Sequence, residues 1–250
     1  MIFLSRAMPP LPLNPLFRYT FPMRNPIFSD MKAAIFDMDG TILDSMGMWH
    51  GIGKQYLEEN GITPQKNLWD DIKRFNLVES ADYLIEKYGL NKRRGEVMDG
   101  IRSIIIGHYG KTLQLKEGAR ELLEKLNELH IPCVLATATD RQSVIACMKR
   151  LDCEKYFVKI LTCLEYNTTK NEPLIFEKAA EAAGAEIKDS VVFEDALHAL
   201  RTARNAGFRT CAVYDESDEE KSEPPETDWQ RMLELCDASC VSLREIISSL

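Results

Sequence analysis

Acidic side chains follow a short apolar run near the start of this sequence, where they could share a cation or a proton. Asp37 and Asp39 come directly after Lys32–Phe36 and lead into Gly40 and Thr41. Two carboxylates so close together repel each other unless a cation or a shared proton lies between them. Mg²⁺ held by one or two carboxylates and by a substrate phosphate satisfies this demand. An Asp-Gly turn is the simpler interpretation, but it does not explain the second carboxylate at Asp37.

Two other apolar runs also end in reactive side chains. Glu194 and Asp195 follow Val191–Phe193, and two acids at the end of a buried strand are costly without a counter-ion. Thr137 follows Cys133–Ala136 and opens a polar turn that also suits a helix N-cap. The sequence therefore places acids and a hydroxyl at the ends of several apolar segments.

These segments alternate with helical patterns, which indicates a parallel sheet with helices on both faces. Strands are predicted at Lys32–Phe36, Pro132–Ala136, Phe157–Leu161, Ser190–Phe193, Thr210–Tyr214 and Ala238–Leu243, and helices at Glu117–Leu129, Leu174–Ala183 and Ala196–Ala206. Ligands of such sheets bind at the carboxyl ends of the strands. We therefore predict an α/β fold with a Rossmann-like parallel sheet core and chemistry at that edge.

Residues 45–115 interrupt the alternation. Helices are predicted there at Trp49–Asn60, Leu68–Phe75, Ser80–Tyr88 and Lys92–Tyr109, with no convincing strand between them. We expect an α/β core of residues 31–44 and 116–250 with an inserted all-helical cap domain at 45–115. Residues 1–30 hold six of the eleven prolines and are predicted to be a disordered extension. The acidic segment Asp215–Thr227 is predicted to be a solvated loop.

The overall composition excludes several classes of protein. A net charge of −8 argues against a general partner of nucleic acid or of anionic membranes, because phosphate backbones need a basic surface. It leaves room for a small phosphorylated metabolite, which a few local groups can hold. No run of eighteen apolar residues is present, so no transmembrane helix is expected. Seven cysteines without tight pairs suit a reduced, cytoplasmic protein. The linear sequence predicts no oligomeric state.

Together these features resemble the haloacid dehalogenase superfamily of phosphotransferases, especially members with a helical cap after the first motif. The resemblance covers residues 31–250 and rests on Asp37-Met38-Asp39-Gly40-Thr41, Thr137, Glu194-Asp195 and a lysine before a helix. That lysine is Lys170, in a segment where Asn171 replaces a proline of the family pattern, and Lys159 is the alternative. Ala196 and Ala199 stand where family members commonly have Ser and Gly.

The resemblance implies a role for each of these residues. Asp37 would be the nucleophile that forms an aspartyl-phosphate, and Asp39 would be the general acid and base. Thr137, the amide of Ala138 and Lys170 would hold the transferring phosphoryl group. A Mg²⁺ cofactor would be held by Asp37, Asp39, Glu194 and Asp195.

The resemblance leaves the reaction open among three possibilities. The leading one is a Mg²⁺-dependent phosphatase of small phosphomonoesters, such as sugar phosphates or phosphoglycolate. The alternative is a hexose-phosphate mutase similar to β-phosphoglucomutase, although such mutases often have a histidine where this chain has Trp49. A non-catalytic module that binds a phosphorylated metabolite is the third. It is the least favoured, because none of the catalytic residues of the family pattern is missing. Candidate substrate contacts from the cap are Trp49, His50, Lys54, Lys73 and Arg74, and Trp49 suits core packing equally well.

Overall fold

Six parallel strands form the central sheet of the computed structural model, which describes residues 26–73, 75–215 and 228–250. The strands are β1 (Ala33–Phe36), β4 (Cys133–Thr137), β5 (Phe157–Thr162), β6 (Ser190–Glu194), β7 (Arg209–Val213) and β8 (Ala238–Cys240), and their order is β5-β4-β1-β6-β7-β8. Two further strands, β2 (Leu43–Asp44) and β3 (Gln114–Leu115), pair with each other in antiparallel fashion. The predicted Rossmann-like parallel sheet is confirmed, and the ends of the six predicted strands shift by at most three residues.

The register of the central strands sets the level of the acidic residues. Phe36 of β1 pairs with Leu135 on one side and with Phe193 on the other. The amide of Asp37 continues this ladder, since it donates to the carbonyl of Phe193 over 3.0 Å. Asp37 therefore stands level with Glu194 at the carboxyl edge of the sheet.

Helices cover both faces of the sheet. They are α1 (Pro26–Ser29), α6 (Ala119–Glu128), α7 (Arg141–Arg150), α8 (Leu174–Ala183), α9 (Leu197–Asn205), α10 (Asp228–Leu235) and α11 (Arg244–Ile247). Because successive strand residues point to opposite faces, Phe36 packs in one apolar cluster with residues of α6 and α7. Its neighbour Ile35 packs in a second cluster with residues of α8 and α9. Burial on both faces explains why these strands read as unbroken apolar runs.

Four helices lie between β2 and β3, within the segment assigned to the cap. They are α2 (Met46–Glu59), α3 (Leu68–Ile72), α4 (Leu77–Tyr88) and α5 (Arg94–Lys111). They share an apolar cluster of their own, which includes Leu57, Leu84 and Ile101. The pairing of β2 with β3 places the two chain crossings between sheet and insertion side by side. Neither of these two-residue strands is predicted from the sequence.

Two loop predictions need correction at their ends. Residues 26–30 are not an extension, because α1 packs on the sheet: Phe28 is buried and its ring stacks on Phe193 at 6.1 Å. Proline is tolerated at the first position of a helix, so its density did not exclude this short one. Asp215 is not solvated either, since it is buried and pairs with Lys116 over 2.8 Å. Residues 1–25 and 216–227 lie outside the described residues.

Within the described residues, the helices are all too short or too polar to cross a membrane.

Candidate active site

A buried cluster of charged side chains lies at the carboxyl ends of β1 and β6. Asp37 follows β1, Glu194 ends β6, and Asp195 comes next in the chain. Each of these three residues offers a carboxylate oxygen within 4.8 Å of the others. Lys170, from the loop before α8, donates from Nζ to Asp37 Oδ1 and to Glu194 Oε1, the latter over 2.9 Å. All four residues are buried, with at most 8% of each exposed.

Burial among like charges disturbs the titration of this cluster. Desolvation raises the pKa of all three carboxyl groups, and to about 8 for Glu194. The neighbouring carboxylates raise these pKa values further, while Lys170 opposes the rise. Burial alone would lower the pKa of Lys170, but Asp37 and Glu194 outweigh it and raise that pKa. With all groups ionised, three carboxylates against one ammonium leave two uncompensated negative charges.

The three carboxylates of this cluster fit a divalent cation that prefers oxygen ligands. Glu194 Oε2 is a buried carboxylate oxygen that receives no hydrogen bond from the described residues. Hard cations such as Mg²⁺ and Ca²⁺ take carboxylate oxygens, and a double positive charge matches the excess of the cluster. Buried, unpartnered carboxylate oxygen is costly, so a bound cation would remove a penalty as well as add an attraction.

The carboxylate of Asp195 is seated against the turn that carries Asp39. Thr41 Oγ1 donates to Asp195 Oδ1 over 3.1 Å. Gly40 has a positive φ of 79°, and a β-carbon there would stand 2.0 Å from Asp195 Oδ2. Only glycine permits both this backbone conformation and so close an approach. The Gly40-Thr41 pair of the first motif therefore positions the acid of the last one.

Asp39 stands apart from the other three acids. It is half-buried, and Asp37, Glu194 and Asp195 form the acidic cluster without it. Its two carboxylate oxygens accept hydrogen bonds from the hydroxyls of Ser45, Tyr109 and Thr139. Of the four carboxylates predicted to hold metal, the structure brings three side chains together, and it gives Asp39 a separate environment.

The predicted phosphate-binding residues line the same edge of the sheet. Thr137 ends β4, is buried, and its Oγ1 accepts from the amide of Thr139 over 3.1 Å. Ala138 lies exposed at the turn between them. Lys170 reaches the acidic cluster, whereas Lys159 lies exposed on β5. The geometry therefore favours Lys170 over its alternative, despite Asn171.

The cap residues suggested as substrate contacts fall into different places. Trp49 is half-buried and its ring meets that of Tyr109 edge-on at 6.5 Å, which is a packing role. His50 contacts Trp69 at 4.3 Å between ring centres and lines a cavity of about 700 Å³ beside Lys116. Lys54 and Lys73 are exposed and pair with acids on their own helices, Glu58 and Asp70. Arg74 lies outside the described residues.

Four residues at the site were missed by sequence reasoning. Ser45, Tyr109 and Thr139 donate to Asp39. Lys116 donates to the carbonyl of Gly40 over 2.7 Å. Lys116 also binds the carbonyl of Tyr214 and the carboxylate of Asp215, so its three N–H donors are all used. Ser45 lies six positions after Asp39, but a single serine after a motif is no signal by itself. Tyr109, Thr139 and Lys116 act on parts of the chain that only the fold brings near.

Comparison with known proteins places this arrangement in a family. The model of the haloacid dehalogenase-like hydrolases matches residues 34–213, which includes every residue of the acidic cluster. The chain belongs to the haloacid dehalogenase-like hydrolase family.

Members of this family with known activities or structures are similar to the chain over most of its length. A phosphorylated carbohydrates phosphatase from Thermotoga maritima is 27% identical over 71% of this chain and 82% of its own. A glyceraldehyde 3-phosphate phosphatase from Pyrococcus abyssi is 27% identical over 72% of this chain and 80% of its own. The crystal structure of a HAD hydrolase of family IA, variant 3, from Entamoeba histolytica superposes with a TM-score of 0.70. That structure is 19% identical and covers 88% of this chain and 98% of its own, which shows the shared fold.

Proposed function

We propose that this protein is a Mg²⁺-dependent phosphatase that hydrolyses small phosphomonoesters through an aspartyl-phosphate on Asp37. The observation that carries the proposal is the buried cluster in which Lys170 bridges Asp37 and Glu194, with Asp195 beside them. With all groups ionised the cluster has two more negative charges than positive ones, which suits a bound divalent cation. Relatives that hydrolyse phosphorylated carbohydrates and glyceraldehyde 3-phosphate support the substrate class.

In the first step a carboxylate oxygen of Asp37 attacks phosphorus, and the bond from phosphorus to the ester oxygen breaks. Asp39, one residue beyond the buried Met38, delivers a proton to the departing oxygen. Lys170 and the hydroxyl of Thr137 stabilise the charge of the transferring phosphoryl group. Asp37, Glu194 and Asp195 would hold Mg²⁺, which would neutralise phosphate charge when bound.

In the second step water attacks phosphorus of the aspartyl-phosphate. The carboxylate of Asp39 takes a proton from this water, and the carboxylate of Asp37 is released together with phosphate. The near-complete burial of Asp37 restricts access to the intermediate, and we assign control of that access to the cap insertion. Trp49, in packing contact with Tyr109, then stands where a mutase of this family often has a histidine, which favours transfer to water over transfer to a second sugar hydroxyl.

The test is phosphate release from a panel of phosphomonoesters, with and without Mg²⁺, for wild type and Asp37→Asn. We expect turnover that needs both the metal and Asp37, with a loss of at least ~10³-fold in kcat for the variant. Asp99→Asn, an exposed acid on α5, is the matched control and should keep wild-type activity. Full activity of Asp37→Asn would refute the assignment of the nucleophile.

The same panel separates the alternatives. Conversion of glucose 1-phosphate to the 6-phosphate without net phosphate release would identify a mutase. A phosphorylated ligand that binds tightly with Mg²⁺ and survives unchanged would identify a binding module.

A further inference from the structure

Three hydroxyl groups from three separate elements hold the carboxylate of Asp39. Oδ1 accepts from Ser45 Oγ over 2.7 Å and from Tyr109 Oη over 2.5 Å. Oδ2 accepts from Thr139 Oγ1 over 2.6 Å. Because a carboxylate oxygen has about two acceptor positions, Oδ1 is filled and Oδ2 keeps one. Oδ2 is therefore the oxygen that remains able to carry a proton to and from the substrate.

Tyr109 differs from the other two donors because it comes from the far end of the helical insertion. It lies on the last turns of α5, 70 positions along the chain from Asp39, and its side chain is fully buried. Arg150 of α7 donates from Nε to the carbonyl of Tyr109 over 3.2 Å and from Nη2 to the carbonyl of Leu113. Together with the edge-on contact to Trp49, these bonds fix where the phenol points.

The phenol of Tyr109 stays protonated, and therefore remains a hydrogen-bond donor, at neutral pH. Burial raises its pKa, and the negative charge of Asp39 raises it further. Its oxygen also lies 3.4 Å from Thr139 Oγ1, so the two donors to Asp39 touch each other. Ser45 precedes α2, the first helix of the insertion, and Tyr109 is on the last one. The chain thus contacts Asp39 both where it enters the insertion and where it leaves.

We infer that Tyr109 is a positioning residue whose hydroxyl holds Asp39 at the angle needed for proton transfer to the leaving oxygen. This inference rests on the acid–base role proposed for Asp39. It assigns to the helical insertion a part in the chemistry as well as in substrate access. The ring of Tyr109 contributes packing, whereas the hydroxyl contributes the orientation of the acid.

Tyr109→Phe removes the hydroxyl and keeps the ring, and kcat/KM is measured on two substrates. An alkyl phosphate such as glycerol 1-phosphate needs a proton on its leaving oxygen, whereas p-nitrophenyl phosphate releases a stable anion. Since kcat/KM reports the steps up to transfer of the phosphoryl group, it isolates protonation of the leaving group. We expect at least a ~10-fold loss for the alkyl substrate, at the low end of what a general acid contributes, and less than about 3-fold for p-nitrophenyl phosphate.

Tyr83→Phe is the matched control, because Tyr83 also donates its phenol to an aspartate, Asp71, over 2.6 Å within the insertion. This variant should leave both kcat/KM values at the wild-type level. Equal losses on the two substrates in Tyr109→Phe would show a merely structural effect, and no loss on either would also overturn the inference.

A second measurement does not depend on activity. Urea unfolding of wild type, Tyr109→Phe, Asp39→Ala and the double variant forms a cycle that reports the coupling of the two side chains. We expect the free energy of unfolding to fall no further in the double variant than in the less stable single variant. A fall equal to the sum of the two single falls would contradict the inference. Wild type that releases no phosphate, together with coupled midpoints, would count against the proposed function while leaving the contact established.

Discussion

Metal-free protein should lose stability as the pH rises from 6.5 to 8.0, because Glu194 is buried among other carboxylates. Burial raises the pKa of Glu194 from its ordinary value of 4.5 to about 8 in the folded state. The folded chain therefore holds a proton that the unfolded chain has already released in this range. Stability falls with pH wherever the folded state binds more protons, so the slope is negative. Burial shifts the pKa values of Asp37 and Asp195 upward as well.

The size of the effect follows from the proton balance. One full proton of difference is worth about 1.4 kcal/mol per pH unit, so Glu194 contributes about 2 kcal/mol over this interval. Lys170 contributes no slope, since its pKa is raised and both states are protonated here. His198, whose pKa is lowered by burial, acts in the opposite direction, but its unfolded form is at most half protonated above pH 6.5, so it offsets only a small part of the fall. A cation on Glu194 would keep it ionised in the folded state and remove the effect.

The assay is urea unfolding in EDTA at the two pH values, repeated with saturating Mg²⁺. We expect the midpoint to fall by roughly 1 M in EDTA, for an m-value of about 2 kcal/mol per M, and to hold steady with Mg²⁺. Glu194→Gln, which cannot ionise, should show a smaller fall in EDTA than wild type. A wild-type midpoint that is equal at both pH values in EDTA would contradict this role of Glu194, as would an equal fall in the glutamine variant.

Two further predictions concern the contact between Asp195 and Gly40 and the packing of helix α1 on the sheet. Gly40→Ala should raise the Mg²⁺ concentration for half-maximal activity by at least ~10-fold, because the new β-carbon displaces the Asp195 carboxylate. The positive φ at this position adds about 1–2 kcal/mol of backbone strain. Gly61→Ala is the control, since Gly61 has a similar φ of 74° with nothing within 4 Å of a β-carbon, and an equal effect there would contradict the prediction. Phe28→Ala should lower the free energy of unfolding by about 3 kcal/mol in urea titrations, because a buried aromatic ring is removed. Mg²⁺-dependent turnover should stay intact at 25 °C. A loss of stability below about 1 kcal/mol would show that α1 contributes little.

Local patterns in the sequence were sufficient for the sheet and for its reactive edge. A buried parallel strand must be apolar at every position, so the six strands were visible as short apolar runs. Glu194 and Asp195 were identified because acids directly after such a run need a partner. The helical segment between β2 and β3 was visible as a long interruption of the strand–helix alternation with no convincing strand in it. The two-residue strands at its ends were not, since two residues show no period.

The partners of the reactive residues were decided by tertiary structure. Lys170 lies 133 positions from Asp37, and a lysine before a helix is usually only surface charge. The resemblance to a family, and not the local pattern, singled it out. Phe28 shows the same dependence, since a proline-rich context hid a side chain that the sheet buries.

Residue order alone was enough to mark the reactive residues and the edge of the sheet on which they lie, because strand and helix periods are local properties of the chain. Only the packing of distant segments decided the environment of each group. It set Lys170 between two carboxylates, pressed Asp195 against Gly40, and carried the phenol of Tyr109 to Asp39. Such contacts depend on distances across the fold, which residue order does not record.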